Sequence, residues 1–301
     1  MLIVQSADEL RAILDEKRSQ GKTVGFVPTM GYLHDGHMSL VENAKSTCDY
    51  VVVSIFVNPI QFGEGEDLKD YPRDLTRDQK LCEGYGVDLL FFPSKYEMYP
   101  NGDPPRIEYP EIMQKLCGVF RPGHFEGVAT VMNRFFSIVG KCKCFMGKKD
   151  AQQLVVVKKL AREHYPDTEV IGCSLVREES GLALSSRNYY LSPAAKDTAA
   201  MIFQSLNKFV KSLRPGCNIE EELYTCKVFL SSLDFDVQYF SFVDARTIED
   251  VKDFVPGHYL LAVAAKIQST RLIDNFGVEV NQDMSIKVDR GVYKNHKEVQ
   301  E

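Results

Sequence analysis

Apolar positions in the first 175 residues fall into two alternating patterns, short unbroken runs and stripes at helical spacing. Ser6 followed by Glu9 has the spacing of a capping box, and Leu10, Ile13 and Leu14 recur behind it on one helical face. Residues 24–28 (VGFVP) form an apolar run that stops at a proline, as a buried strand does. Beyond the loop TMGYLHDG a helix is predicted over 37–46, with Leu40, Val41 and Ala44 on one side. The run YVVVSIFV at 50–57 is almost wholly apolar, which suits a strand covered on both faces, as in a parallel sheet. Further helices are predicted near 74–83, 127–139 and 151–164, and strands near 88–92, 143–146 and 168–173. Such alternation predicts an α/β fold built on a doubly wound, Rossmann-like parallel sheet.

The rhythm changes after about residue 176. Helical stripes at 194–213 and 219–230 are followed by strand-like runs at 237–243 and 259–264, an α+β pattern. The expected division is a larger domain over 1–175, a smaller C-terminal α+β domain over 176–282, and a polar tail over 283–301. The boundary falls within Ser174 to Arg177.

Composition narrows the function classes. The 301 residues are 44% hydrophobic and 26% charged with a net charge of −6, which is ordinary globular composition and excludes a dedicated nucleic-acid binder with a strongly basic face. No apolar run reaches the roughly 20 residues of a membrane helix. The opening segment turns acidic after four apolar residues, unlike a signal peptide. Eight cysteines without a secretory signal read as free thiols in a reducing compartment, the cytoplasm or an organelle matrix, of which the cytoplasm is the expectation. Cys142-Lys143-Cys144 lacks a second Cys/His pair at metal-site spacing and reads as structural.

Three clusters carry candidate chemistry. His34-Asp35-Gly36-His37 stands between a predicted strand and the start of a helix, where unpaired N–H groups and the positive dipole end favour phosphate. Two imidazoles there can both donate to phosphate oxygens, and Gly31 and Gly36 let the backbone come close; two surface-loop histidines, or two ligands of a metal site, are the other readings. In Gly147-Lys148-Lys149-Asp150 the lysines supply point charge, and Asp150 either caps the next helix or accepts from a ribose. Ser185, Ser186 and Arg187 make an anion-binding loop or, read blandly, a polar junction. Asn58 and Gln61 offer amides after a strand end, and His124 with Arg121 suits a carboxylate or phosphate. Neither a G-x-x-x-x-G-K-[ST] loop, a G-x-G-x-x-G fingerprint nor a G-x-S-x-G elbow is present.

PTMGYLHDGHMSL at 28–40 resembles the signature of the pantothenate synthetase (pantoate–β-alanine ligase) family, within the nucleotidyltransferases that carry a His-x-Gly-His motif. The resemblance continues through NPIQFGEGEDLKDYPRD, CGVFRPGHFEGVATV, GKKDAQQL, VREESGLALSSRN and STRLIDN, over roughly residues 1–280. It implies a C-terminal domain that closes over the site, a homodimer, and ATP, Mg²⁺, pantoate and β-alanine as reactants, with no nucleic acid or membrane partner. It implies catalytic roles for His34, His37, Lys149 and Arg187, and ATP contacts at Pro28, Met30, Gly36, Gly147, Asp150, Val176, Leu184, Ser185 and Ser186. Gln61, Gln153, Asn58 and His124 are implied for pantoate, and Asp78 for the metal.

The chain departs from the family pattern at Ser174-Leu175, where Pro-Thr is usual, at Leu184 for Met, and at Met146 and Lys148 for Phe and Glu. The Leu and Met changes roughly keep volume, while Lys148 adds charge beside Lys149. Two other readings remain at this stage: a related nucleotidyltransferase, which would leave its nucleotide in the product, and a silent nucleotide-binding protein on the same fold.

Overall fold

The computed structural model describes residues 1–294; residues 295–301, the end of the expected polar tail, lie outside the described residues. The chain folds into two compact units. The first comprises Met1–Gln114, Arg121–Lys148 and Val156–Cys173, and the second comprises Lys115–Phe120, Lys149–Val155 and the chain from Ser174 onward.

The first unit begins with β1 (Leu2–Val4), α1 (Ala7–Ser19), β2 (Val24–Thr29), α2 (Asp35–Thr47) and β3 (Tyr50–Ile55). It continues through α3 (Leu75–Gly84), β4 (Leu89–Phe91) and the single-turn helices α4 (Lys95–Met98) and α5 (Pro110–Met113). The single turn α6 (Cys117–Phe120), which belongs to the second unit, leads into α7 (His124–Val139), β5 (Lys143–Gly147), α8 (Ala151–His164) and β6 (Glu169–Cys173). The six strands pair in parallel in the order β1-β4-β3-β2-β5-β6, the doubly wound sheet that the alternation predicts. Its two faces are apolar for the reason the unbroken runs suggest. Val51, Val53 and Ile55 pack with Val41 and Leu90 on one side, and Phe26, Phe56 and Phe91 meet Phe135 of α7 on the other.

Helix starts follow their caps. The Ser6 hydroxyl accepts from the Glu9 N–H at 3.4 Å ahead of α1, and Asp74 accepts from Arg77 N at 3.0 Å ahead of α3. α7 starts at His124, three residues before the predicted position, because Gly123 takes a left-handed conformation (φ 80°) that turns the chain into the helix.

The second unit holds β7 (Val176–Arg177), α9 (Pro193–Ala199), α10 (Met201–Ser212), α11 (Ile219–Ser231) and the strands β8 (Asp236–Asp244), β9 (Gly257–Ile267), β10 (Thr270–Val280), β11 (Ile286–Asp289) and β12 (Val292–Tyr293). β11-β10-β9-β8 form an antiparallel sheet, and β12 pairs with β7. Phe209 of α10 packs on Phe240 and Phe242 of β8, anchoring the helices to the sheet. The single helix predicted over 194–213 is two, because Ala200 (ψ −19°) tightens the backbone and Phe203 N bonds only three residues back, to Ala200 O. Part of the predicted polar tail, residues 286–289, adds the edge strand β11 to the sheet.

One close approach ties helix to loop in the first unit. A Cβ added at Gly127 of α7 would lie 2.5 Å from Gln61 Cα and from Ile60 O, both backbone atoms of the 3-10 turn Pro59–Gln61. Gly127→Ala gains helix propensity, about 1 kcal/mol, yet must push that turn away. A net loss of about 1–3 kcal/mol is expected from such overpacking, read as a lowered midpoint in thermal unfolding. An unchanged or raised midpoint would show that the turn yields without strain.

Candidate active site

The carboxyl edge of the parallel sheet opens between β2 and β5. β2 pairs with β3 along its whole length, Val24 to Thr29, but with β5 only at Gly25 and Phe26. Pro28 sits just past that last contact, where the missing N–H costs no ladder bond. β5 carries on with β6 as far as Gly147. The two strands therefore part at the point where the strand order reverses, which is where open α/β sheets bind ligands.

The turn leaving β2 is held from below. Thr29 Oγ1 donates to Ser54 O (2.7 Å) and accepts from Gly31 N (3.1 Å). Gly31 (φ 83°) has Ile55 Cγ2 2.9 Å from where a Cβ would stand, so glycine is required both for the conformation and for the space. Tyr32 follows with φ 51°. Both oxygens of the buried Asp78 carboxylate accept backbone N–H groups of this turn, Oδ2 from Tyr32 (2.7 Å) and Oδ1 from Leu33 (2.8 Å). The turn also borders a cavity of about 480 Å³ lined by Ile55, Phe56, Leu75 and Phe92, so these bonds hold it where packing is thin. Asp78 thus anchors the turn, and it also lines that cavity. Burial pushes its carboxyl up, against the pull of the two N–H groups.

The turn delivers His34 to the N-cap of α2. Its Nδ1 accepts from Gly36 N at 3.1 Å, and His37 Nδ1 accepts from His34 N at 3.3 Å, a reciprocal capping box made of two imidazoles. With both Nδ1 atoms accepting, each ring carries its proton on Nε2. The ring centroids are 4.1 Å apart. Two Nε2–H donors at a helix N-terminus form an arrangement suited to phosphate oxygens.

Beside this turn, Gln61 Nε2 lies 3.2 Å from Met30 Sδ. Asn58 and His124 both bond to Gln61. Asn58 Nδ2 donates to Gln61 Oε1 (3.0 Å) and to Gly127 O (3.1 Å), while its Oδ1 accepts from Tyr99 Oη (2.9 Å). His124 Nδ1 donates to Gln61 O (2.8 Å) and its Nε2 accepts from Arg121 Nη1 (2.9 Å). Arg121 also grips Glu66 through two bonds of 2.6 and 2.7 Å. Burial raises the Glu66 carboxyl, but the guanidinium fork outweighs it and brings the group down to about 2.

The remaining expected residues lie in the second unit: Lys149, Asp150, Gln153, Val176, Leu184, Ser185, Ser186 and Arg187. Lys149 Nζ is 3.7 Å from Asp150 Oδ2. Gln153 is half-buried on the first turn of α8, whereas its neighbour Gln152 is spent on Cys117 N (3.1 Å) and Lys115 O (2.8 Å). Val176 O accepts from Leu184 N at 2.9 Å, and Ser185 Oγ caps Arg187 N at 3.2 Å. Cys142 and Cys144 are buried thiols, the first pushed up to about 12 by desolvation, which agrees with packing groups rather than metal ligands. Sequence reasoning missed Arg177, Asp274 and Asn275 of this unit. Their available signal was a polar pair, Asp274-Asn275, flanked by apolar residues.

A family model described as pantoate-beta-alanine ligase matches residues 2–277. A pantothenate synthetase of Acetivibrio thermocellus is 44% identical over 282 residues, covering 93% of this chain and 100% of that protein. One from Clostridium botulinum is 45% identical, covering 92% and 99%. The crystal structure of pantothenate synthetase from Thermus thermophilus superposes with a TM-score of 0.85 at 43% identity, covering 91% of this chain and 98% of that one. The Francisella tularensis pantoate-beta-alanine ligase, solved with beta-gamma ATP and beta-alanine, gives 0.76 at 35%, covering 91% and 97%. Matched along nearly its whole length in both sequence and fold, the chain belongs to the pantoate–β-alanine ligase family.

Proposed function

We propose that this enzyme condenses pantoate with β-alanine at the expense of ATP, through a pantoyl-adenylate. The observation that carries the reading is the imidazole capping box of His34 and His37 at the parting of β2 and β5, in a chain of this family. Its two Nε2–H donors offer fixed positive dipoles to charge that grows on the phosphates. The pantoate carboxylate attacks the α-phosphorus, the bond to the β-phosphate oxygen breaks, and pyrophosphate leaves. The free amine of β-alanine then attacks the activated carbonyl and AMP departs. No covalent enzyme intermediate is needed, so the protein contributes position and electrostatics.

In this reading Lys149 and Arg187 neutralise the triphosphate, Ser185 and Ser186 donate to it, and Gly147, Asp150, Val176 and Leu184 surround the nucleoside. Gln61 and Gln153 hold the hydroxy acid over Met30 and Pro28, with Asn58 and His124 fixing Gln61. The C-terminal unit acts as a lid. Mg²⁺ belongs to the substrate, as Mg–ATP. Among the described residues no group of three or more His, Cys, Asp or Glu is arranged to hold a metal, and an ion carried on a triphosphate needs few protein oxygens. A homodimer and a cytoplasmic location complete the proposal, the latter fitting eight free thiols. Among the described residues no helix is long and apolar enough to cross a membrane.

AMP release from Mg–ATP, with pantoate and β-alanine supplied singly and together, tests the reading. Sustained release only with both is expected; release that ignores β-alanine, or none at all, would move the activity to a different acid or acceptor. His34→Asn separates cap from chemistry, because asparagine caps as well as any residue but lacks the Nε2 donor. Adenylation is expected to fall about 10²–10³-fold in His34→Asn and in Lys149→Ala with the unfolding midpoint nearly kept, as for removal of a transition-state donor. Pyrophosphate exchange near the wild-type rate in either folded variant would overturn its role.

A further inference from the structure

Two separate segments of the second unit are assigned above to the triphosphate: Lys149 ahead of α8, and the Ser185–Arg187 loop beyond β7. Both are rooted on two consecutive residues of β10, Asp274 and Asn275. Neither belongs to either phosphate segment, and both are buried.

Asp274 acts on the loop through Arg177. Its Oδ2 accepts from Arg177 Nη1 (2.6 Å) and its Oδ1 from Nη2 (2.8 Å). The guanidinium is wholly buried, lying 4.8 Å from the Phe203 ring centroid and 5.2 Å from that of Phe276. Its other hydrogens go to backbone carbonyls: Nε to Arg290 O (2.6 Å), Nη1 to Gly181 O (2.9 Å) and Nη2 to Asn275 O (3.3 Å). Gly181 is the corner of the turn that leads into the serine loop. It has φ 89°, and a Cβ there would lie 2.4 Å from Phe203 Cδ1, so the chain can pass only as glycine. Gly181 N bonds Glu178 O, Glu178 N bonds Leu182 O and Leu184 N bonds Val176 O, each at 2.9 Å, and the hairpin ends directly at Ser185. The guanidinium that grips Gly181 O therefore sets where Ser185 to Arg187 emerge.

Asn275 reaches the other segment. Its N–H donates to Asp274 Oδ1 (2.7 Å), which fixes the residue against the ion pair, and its Nδ2 donates to the Lys149 carbonyl (2.8 Å). The bond falls on the backbone of Lys149 itself, the residue whose side chain must reach phosphate. Of the two adjacent lysines, this bond singles out Lys149 as the one in fixed register with the serine loop.

We propose that Asp274 and Asn275 form a two-armed clamp, with Asn275 a positioning residue for Lys149 and Asp274 a positioning residue, through Arg177, for the Ser185–Arg187 loop. The clamp sets the spacing between the lysine and the loop before nucleotide arrives, so no ordering cost falls on binding. It rests on the assignment of Lys149 to the triphosphate.

A double-mutant cycle on the full-length protein tests the Asn275 arm. Wild type, Asn275→Ala, Lys149→Ala and the double variant are compared for the dissociation constant of α,β-methylene ATP and for KM and kcat of pantoate-dependent pyrophosphate exchange. Asn275→Ala is expected to weaken nucleotide binding and raise the KM for ATP about tenfold, with the KM for pantoate within about twofold, and to add nothing in the Lys149→Ala background. Asn275→Asp keeps size and the backbone bond but sets an acceptor against the Lys149 carbonyl, and the same loss is expected from it should the alanine variant not fold. A loss that persists undiminished without the lysine side chain, or that falls equally on ATP and pantoate, would reduce Asn275 to a general fold contact and overturn the clamp. If Lys149→Ala alone leaves both nucleotide binding and exchange unchanged, the assignment of Lys149 fails first. The cycle therefore tells the two failures apart.

Discussion

The site depends on β2 losing one of its two neighbours before it ends. A central strand normally pairs on both sides to its last residue, because an unpaired buried N–H or carbonyl is costly. Here the ladder to β5 stops at Phe26 while the ladder to β3 runs on to Thr29. Pro28 removes an N–H where none can be paired, and Thr29 and Asp78 satisfy the N–H groups of Gly31, Tyr32 and Leu33. Side chains have taken over the accounting that the sheet abandons. What opens is a crevice walled by backbone, with the N-terminus of α2 beside it.

That substitution explains why several polar side chains in the first unit are buried. Asp78, Asn58 and His124 are each almost out of solvent, and each is spent on backbone or on a neighbouring amide. A net hydrogen bond contributes only about 1 kcal/mol, but leaving such a group unpaired costs about 1–3 kcal/mol. These networks therefore tolerate few alternative geometries, and that intolerance keeps the Gln61 amide next to Met30.

The parallel sheet was legible because its strands are apolar on both faces and its helices carry caps, and α2 and α8 begin within two residues of their predicted starts. The place of the His34–His37 pair at a helix N-terminus was legible because its position after the first long strand is visible in the pattern. What was not legible follows from residues serving two purposes. β10 was invisible as a strand because Asp274 and Asn275 interrupt its apolar run, and their burial makes sense only once Arg177 and Lys149, distant in sequence, are seen to end on them. The partners of Asn58 and His124 were hidden for the same reason. An amide or imidazole in a sequence gives no sign of which distant group it will bond. Asp78 shows the converse, since one acidic residue in a helix gives no hint that both its oxygens are claimed by a turn forty-five residues away.

The buried Arg177–Asp274 pair fits the same logic from the energetic side. Taking both charges out of water costs several kcal/mol per ion after relaxation, and apolar replacements of such pairs are often neutral or stabilising. Stability alone is therefore a weak reason to keep a guanidinium enclosed between two phenylalanines. A leucine or methionine in that space would fill volume but hold no carbonyl. The guanidinium instead donates to three backbone oxygens from three different parts of the chain, at Gly181, Asn275 and Arg290. Its planar fork fixes their directions as well as their distances, which dispersion cannot do. Removing one partner would leave the other charge buried and alone, costing about 3–5 kcal/mol. Geometry that expensive to disturb is what a loop of two serines and an arginine requires if its hydroxyls and guanidinium are to be in place before a triphosphate arrives.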